Sequence, residues 1–238
     1  MVKALNRLLR RLVAATHSLQ MALEWRIAPP PEWFDHFIDL HSQWGRTRLP
    51  FFAERGIFNL LVVKPGASVL DLCCGDGFNA HHFYSIRAGK VLSVDVDPAA
   101  IRHARRNFKA PNVEYQAADI RTSLPAGPFD NVIWDAAIEH FSEAEIHRLV
   151  AGIRERLLPG GVLSGYTVLE EAGKQHPDHE YEFKTKADLA RFFSPHFANV
   201  LVFQTTYPTR RNLYFFASDA ALPFDPSWPD SLRIPTVG

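Results

Sequence analysis

The chain has 238 residues, of which 47% are hydrophobic and 22% charged, enough to bury the core of one α/β domain with extensions. Its 26 Lys and Arg residues balance 26 Asp and Glu residues, so the net charge argues against nucleic acid or another polyanion as a partner. Cys73 and Cys74 are adjacent and poorly placed to bridge each other, which predicts a reducing, cytoplasmic setting. No apolar run reaches bilayer length, and Arg10 and Arg11 interrupt the N-terminal one, so we expect neither a membrane span nor a signal peptide.

Residues 1–64 are predicted to form a helical extension. Apolar side chains recur three and four positions apart over residues 2–25, which predicts an amphipathic helix that the prolines of "APPPEW" end. Further helices are predicted over 33–44 and about 50–63. The apolar stripe of the first helix is expected to pack on the rest of the chain or on a second copy. Peripheral attachment to anionic lipid through its arginines is the alternative.

From residue 65 to 218 the pattern alternates between strands and helices. The predicted strands cover 67–72, 90–96, 112–119, 129–135 and 162–169, and the predicted helices cover 78–86, 98–108, 142–158 and 187–193. Ser142 is the expected N-cap of the third helix, and "PGG" at 159–161 is expected to stop it. Such alternation predicts a doubly wound, mostly parallel, Rossmann-like α/β sheet.

The end of the chain departs from this alternation. Strands predicted over 197–207 and 211–218 are joined by a link too short for a crossover helix, so they must pair antiparallel and complete a seven-stranded sheet. Residues 219–238 contain several prolines and are expected to form an irregular tail.

The glycine-rich sequence "VLDLCCGDGFNA", residues 69–80, joins the first strand of this sheet to a helix, where doubly wound sheets bind ligands. Gly75 and Gly77 permit a close backbone approach, and "GDGFNA" also fits the dinucleotide pattern. Asp71 separates the alternatives, because a carboxylate at the strand end repels a pyrophosphate and attracts a ligand with ammonium and sulfonium groups. Asp95 can accept hydrogen bonds from ribose in either case. S-adenosylmethionine is therefore favoured over a nicotinamide dinucleotide.

These residues resemble the class I S-adenosylmethionine-dependent methyltransferases over about residues 65–218. The family's D-x-x-x-G-x-G motif is met at Asp71, Gly75 and Gly77, while "FDNVIWDAAIEHF", "LLPGG" and the final hairpin resemble its later motifs. The resemblance implies that the glycine loop wraps the methionine part of the cofactor, with Asp95 at the ribose. The cofactor-binding set that it implies is Asp71, Cys73, Gly75, Gly77, Asn79, Asp95, Val96, Asp119, Ile120 and Asp135.

Methyl transfer from a sulfonium is an in-line displacement, so the protein mostly aligns the acceptor, although a hydroxyl acceptor must also lose its proton. His140, just after the fourth strand, is the candidate general base, and Glu139 would orient it or act instead. The alternative is that both residues only cap the following helix. "IEHF" is similar to the "LEH" signature of small-molecule O-methyltransferases, among them quinone-pathway enzymes that hold a divalent metal there. Ala136 stands where those enzymes have another Glu, so no metal is predicted.

The acceptor is expected to meet the segment after the fifth strand, which covers the acceptor pocket in the resembled family. His179 and Tyr181 of "HPDHEYEF", residues 176–183, are predicted to line this pocket as part of an exposed polar loop. The His and Glu residues of this segment are also metal-ligand types. Tyr207 and Arg211 at the hairpin tip are candidates to clamp an anionic or hydroxyl-rich acceptor, with a solvated turn as the alternative.

The predicted function is S-adenosylmethionine-dependent O-methylation of a small hydroxylated molecule, such as a saccharide or related metabolite. The absence of a basic stripe and of an Asn-Pro-Pro-Tyr-like motif after the fourth strand argues against nucleic-acid or protein substrates. Two alternatives stay open: a nicotinamide-dependent oxidoreductase, and a cofactor-binding regulator without catalysis.

Overall fold

A computed structural model describes residues 2–23, 51–170, 178–207, 210–225 and 227. Contacts divide the chain into two compact units, residues 1–50 and 51–238. In the first unit, helix α1 spans Val2–Ala22 and confirms the predicted N-terminal helix. The helix predicted over 33–44 lies outside the described residues. No helix in the described parts of the chain combines the length and the apolar character that crossing a membrane requires.

The second unit is built on a seven-stranded sheet. Its strands are β1 (Ser68–Leu72), β2 (Lys90–Asp95), β3 (Val113–Ala117), β4 (Phe129–Asp135), β5 (Leu157–Val168), β6 (Asn199–Tyr207) and β7 (Arg210–Ser218). They lie in the order β3-β2-β1-β4-β5-β7-β6. Strands β1 to β5 are parallel, and β7 is antiparallel to both of its neighbours. The predicted doubly wound sheet with a terminal antiparallel hairpin is confirmed.

Five helices accompany this sheet in the described residues: α2 (Phe51–Leu60), α3 (Phe78–His82), α4 (Pro98–Asn107), α5 (Glu143–Arg156) and α6 (Lys186–Phe193). Ser142 caps α5 as predicted, because its hydroxyl accepts from the Glu145 N–H while the Glu145 side chain accepts from the Ser142 N–H. Helix α3 is shorter than predicted. The chain leaves the helical conformation at Phe83, with φ −122° and ψ −61°, and residues 84–86 form a 3-10 turn.

The prediction that "PGG" stops α5 is wrong. The helix ends at Arg156, and Leu157 is already extended because it pairs with Phe129 of β4. The register then shifts so that Asn131 pairs with Val162, and the "PGG" residues form an irregularity inside β5, with Gly160 at φ 75°. Pairing with a neighbouring strand therefore sets this boundary.

The helices cover both faces of the sheet. One buried cluster joins Trp134 of β4 and Leu163 of β5 to apolar residues of α5 and α6. A second cluster on the other face contains Tyr166 of β5, and Phe58 of α2 packs edge-on to Tyr214 there. Helix α2, which the sequence groups with the N-terminal extension, thus belongs to the same compact unit as the sheet. The strand order reverses between β1 and β4, so ligands are expected at the carboxyl ends of these strands.

Candidate functional site

The glycine turn after β1 is held tightly against the end of β2. Cys73, Gly75 and Gly77 all have positive φ, at 56°, 54° and 81°. The Cys74 N–H donates to the Val94 carbonyl at 2.9 Å, and the Gly75 N–H donates to Asp95 Oδ2 at 2.8 Å. At Gly77 a Cβ would lie 2.6 Å from the Tyr115 ring, so a side chain there would displace the turn from β3.

Asp71 lies under this turn as a buried carboxyl group, only 3% exposed. The Ser93 hydroxyl donates to its Oδ2 at 3.0 Å. Burial raises the Asp71 pKa to about 8, the Ser93 hydrogen bond opposes this rise, and the charges of Asp135 and Asp95 add to it. The sequence predicts a permanent negative charge at Asp71. In the ligand-free protein it is mostly protonated at pH 7, and a nearby cation would favour its ionised form.

The residues predicted at the ribose and adenine follow the ends of β2 and β3. Asp95 accepts from the Asp97 N–H at 2.9 Å as well as from Gly75, which fixes its carboxylate at the turn. Val96 beside it is 55% exposed. Asp119 accepts from the Arg121 N–H at 2.8 Å, and Ile120 is buried. All of these residues lie at the carboxyl edge of the sheet.

Asp135 at the end of β4 is the centre of a buried polar network. Arg55 of α2 donates to Asp135 Oδ2 through Nε at 2.8 Å and Nη2 at 2.5 Å, and Asn79 donates to the same oxygen at 3.1 Å. Asn59 donates to Oδ1 at 3.3 Å. Arg55 is only 6% exposed; burial lowers its pKa, but the Asp135 charge, the hydrogen bonds to Asp135 and the nearby tyrosines together raise it overall. Asn79 and Asp135, both predicted at the cofactor, are therefore joined here.

A second polar cluster brings together Glu139, His140 and His179. One potential ligand atom from each of these side chains lies within 4.8 Å of those of the other two. Glu139 and His140 belong to a 3-10 turn after β4, Ile138–His140. The N–H groups of Glu180 and Tyr181 donate to the Glu139 carbonyl at 2.9 and 3.0 Å, so backbone bonds fasten the segment after β5 to this turn.

Each member of this cluster has a partner that orients it. The Thr167 hydroxyl donates to Glu139 Oε2 at 2.9 Å. His140 Nδ1 lies 2.8 Å from the Asp178 carbonyl oxygen. His179 Nδ1 lies 2.7 Å from Glu170 Oε1, and the two imidazole rings are 5.3 Å apart.

The turn that carries Glu139 and His140 leaves the sheet beside the glycine turn, because the two turns follow β4 and β1, which are parallel neighbours. Burial raises the pKa of the Cys73 thiol well above its ordinary value, and nearby carboxylates, including that of Glu139, raise it further. Burial raises the pKa of the Cys74 thiol in the same way. Both groups are therefore neutral thiols at pH 7, in keeping with packing rather than nucleophilic chemistry.

Two of the remaining predicted acceptor residues, Tyr181 and Tyr207, are hydrogen-bonded to helices. The Tyr181 hydroxyl donates to Asp188 Oδ1 at 2.7 Å and accepts from Arg191 Nη2 at 2.6 Å, both on α6. The Tyr207 hydroxyl donates to Glu54 of α2. The Arg211 residue is exposed on β7. An open cleft of about 590 Å³ adjoins the cluster, lined by His179, Glu180, Tyr181, Glu182, Lys184 and Asp188.

Sequence reasoning missed several residues that organise these sites. Arg121 donates to the His140 carbonyl at 2.7 Å and pairs with Glu145 at 3.1 Å and Glu180 at 3.2 Å, so it fastens the turn after β4 to the segment after β5. Arg55 had a detectable signal, since it interrupts the apolar helix "FFAERGIFNL" and a charge there calls for a buried partner. Thr167 and Glu170 had no local signal.

Comparison with known proteins supports the assignment of the fold. Residues 69–161 match a family model described as a methyltransferase domain. An uncharacterized methyltransferase of Synechocystis sp. is 31% identical over 105 residues, covering 44% of this chain and 48% of that protein. The ribosomal protein L11 methyltransferase of Thermus thermophilus is 35% identical over 102 residues, covering 42% of this chain and 37% of that protein. The chain thus spans less than half the length of these two relatives.

A solved structure gives a longer match. The N-methyltransferase NodS from Bradyrhizobium japonicum WM9 in complex with S-adenosyl-L-homocysteine superposes with a TM-score of 0.59 and 18% identity, covering 76% of this chain and 92% of that one. The sheet order is that of the class I S-adenosylmethionine-dependent methyltransferase fold, and residues 69–161 within it match the methyltransferase-domain model. S-adenosylmethionine is the cofactor of this class.

Proposed function

We propose that the protein transfers the methyl group of S-adenosylmethionine to an oxygen of a small hydroxylated acceptor, such as a saccharide or related metabolite. The observation that carries this proposal is the position of Glu139, His140 and His179: the turn after β4 neighbours the glycine turn after β1, and His179 lines an open cleft. A cofactor in the turn and an acceptor in the cleft would meet at these side chains.

His140 is proposed as the group that takes the acceptor's proton. Its Nδ1 faces a backbone carbonyl, which can only accept, so Nδ1 carries the ring proton and Nε2 carries the basic lone pair. Glu139 neighbours His140 and would hold the imidazolium that forms. As the proton leaves, the acceptor oxygen attacks the cofactor's methyl carbon, and the bond from that carbon to sulfur breaks.

Two alternative functions, a nicotinamide oxidoreductase and a regulator without catalysis, differ from this proposal in the ligand bound or in the formation of product. A nicotinamide oxidoreductase would place a pyrophosphate above Asp71, a carboxyl group that offers an anion no positive charge and that only a nearby cation would favour in its ionised form. A regulator without catalysis would bind S-adenosylmethionine tightly and yield no product with any acceptor. The relatives' names include a protein methyltransferase and an N-methyltransferase, so the preference for oxygen is supported by the His140 cluster and not by them.

The proposed setting is the cytoplasm, where Cys73 and Cys74 would remain thiols.

A screen of hydroxylated acceptors with methyl-labelled S-adenosylmethionine tests the proposal. With an acceptor in hand, His140→Ala should lower turnover by about 10²-fold or more while the affinity for S-adenosylhomocysteine is kept. His147→Ala on α5, where the ring packs on Phe192 outside the cluster, is the matched control and should retain activity. Full turnover by His140→Ala would show that alignment alone drives the reaction and would remove the base from the account.

A further inference from the structure

We infer that Glu139, His140 and His179 form a binding site for a divalent first-row transition metal such as Zn²⁺. Two imidazoles and one carboxylate suit such an ion better than they suit Mg²⁺ or Ca²⁺, which take oxygen ligands. The ligands come from two separate segments, the turn after β4 and the loop after β5. The sequence predicts no metal because Ala136 lacks a carboxylate, but the structure supplies His179 from the other segment.

The surroundings of the three side chains match those of metal ligands. A metal-bound imidazole usually donates its second N–H to a carbonyl or carboxylate, which fixes the ring and raises its basicity. His140 has such a partner in the Asp178 carbonyl, and His179 has one in the Glu170 carboxylate. With Nδ1 of both rings directed at these oxygens, Nε2 is the atom of each ring that would coordinate the metal. Thr167 plays the corresponding part for Glu139.

The spacing of the cluster is compatible with metal binding after a small adjustment. Ligand atoms around tetrahedral zinc lie about 3.3 Å apart, given metal–nitrogen distances of about 2.0 Å. One possible ligand atom of each side chain now lies within 4.8 Å of those of the other two, so side-chain movements of about an ångström or two would bring three ligand atoms to that spacing. His140 and His179 are partly exposed beside the open cleft, which gives an ion and further ligands access.

The consequence for the reaction rests on the proposed function. A metal here would bind the acceptor's hydroxyl oxygen, lower its pKa and direct it towards the cofactor's methyl group. The O–H bond would break with its proton passing to water, the new O–CH3 bond would form, and the S–CH3 bond would break to release S-adenosylhomocysteine. In the metal-loaded protein His140 would be a ligand and the proton would pass to water, whereas in the metal-free protein the same Nε2 lone pair would take the proton as proposed above.

Metal binding is tested first without any activity measurement. The full-length protein is freed of metal by a chelator and titrated with Zn²⁺ by calorimetry, and with Co²⁺ by its visible absorption. We expect one equivalent per chain and a cobalt spectrum of low coordination number. His179→Ala and His140→Gln should each weaken Zn²⁺ binding by at least about tenfold, and Glu170→Gln, which affects only a positioning residue, by about 10- to 100-fold. His147→Ala should bind like the wild type.

Circular dichroism and thermal unfolding show which variants are folded. If His179→Ala is unfolded, Zn²⁺ binding by His140→Gln decides whether these side chains hold the metal. The inference is overturned if the wild-type protein takes up no stoichiometric metal, or if folded variants of the three proposed ligands bind it as the wild type does. If metal binds and chelation leaves methyl transfer unchanged, the metal site is confirmed and its proposed role in the reaction is contradicted. If metal binds and no acceptor is methylated, the proposed function fails and the metal site does not.

Discussion

Asp71 illustrates how a functional side chain can reduce the stability of the protein that carries it. The carboxyl group is buried beneath the glycine turn, and one hydroxyl donor, Ser93, replaces the water it loses. An ordinary core residue here would avoid the desolvation cost. A carboxyl group with a pKa of about 8 is nevertheless suited to its proposed part, because it ionises when a cationic ligand arrives and is neutral otherwise.

Asp71→Asn should therefore alter the pH dependence of unfolding. The Asp71 pKa is about 8 in the folded protein and about 4 when unfolded, so between pH 4 and pH 8 the folded state binds more protons. The stability that this group contributes is present below pH 4 and is lost as the pH rises to 8. The unfolding free energy of Asp71→Asn should exceed that of the wild type at pH 8 by a few kcal/mol and approach it at pH 4. Urea unfolding of the ligand-free proteins measures this.

Glu155→Gln is the matched control, since Glu155 is a highly exposed carboxylate on α5. It should leave the difference between pH 4 and pH 8 unchanged. An Asp71→Asn profile that runs parallel to that of the wild type would mean that Asp71 ionises normally in the folded protein.

At the residue scale, sequence reasoning located side chains that follow their own strand and missed those that come from elsewhere. Asp71 and Asp95 lie near the carboxyl ends of β1 and β2, whose pattern is visible locally, and Asp95 accepts a hydrogen bond from the glycine turn. His179 was placed near the acceptor, but its approach to Glu139 and His140 depends on backbone bonds between two segments far apart in the chain. Pairings of this kind leave no periodic signal in a single sequence.

At the scale of elements, helix α2 is fastened to the sheet by the Arg55–Asp135 ion pair as well as by apolar contacts. The pair is buried, and Arg55 also lies over the Tyr166 ring at 4.9 Å from its centroid. A buried pair adds little over an apolar substitute, but removing one partner leaves an uncompensated charge. The pair therefore fixes where α2 sits against the end of β4, next to Asn79.

Arg55→Met should destabilise the protein by about 3–5 kcal/mol, because Asp135 would remain buried without its cation. The double variant Arg55→Met with Asp135→Asn should recover most of this loss, since no buried charge is left. Denaturant unfolding of both variants measures the coupling. The exposed Arg154–Asp219 pair serves as the control: Arg154→Met should cost at most about 1 kcal/mol. Equal losses in the single and double variants would contradict the account of the ion pair.

The elements themselves were largely readable from sequence wherever the signal was local. The capping box of Ser142 and Glu145 marks the start of α5 correctly. The end of α5 was misplaced because strand pairing with Phe129 outweighs the turn signal of "PGG". For α1, the apolar face that the sequence assigns to a partner surface includes exposed Leu5, Leu9 and Leu12. What covers that face stays a prediction.

At the scale of the whole molecule, a doubly wound parallel sheet with a terminal antiparallel hairpin was predictable, whereas the order β3-β2-β1-β4-β5-β7-β6, with β7 between β5 and β6, comes from the structure. Right-handed crossovers account for the parallel strands, and the short final link forces β6 and β7 to pair antiparallel. The same topology gathers the ends of β1, β2 and β4 into one crevice, where the glycine turn, Asp71 and Asp95 meet. The acceptor depends on the loops over this crevice, which the topology does not determine.

The central claim is that a cationic methyl donor is bound at this turn with the help of the Asp71 carboxylate. Titration calorimetry of the wild-type protein and of Asp71→Asn with S-adenosylmethionine, and of the wild type with NAD, tests this most directly. We expect S-adenosylmethionine to bind the wild type, the variant to lose about 1–3 kcal/mol of binding free energy, or about 5- to 150-fold in affinity, and NAD to give no heat. Binding of NAD without a response to S-adenosylmethionine, or equal affinity in Asp71→Asn, would contradict the claim.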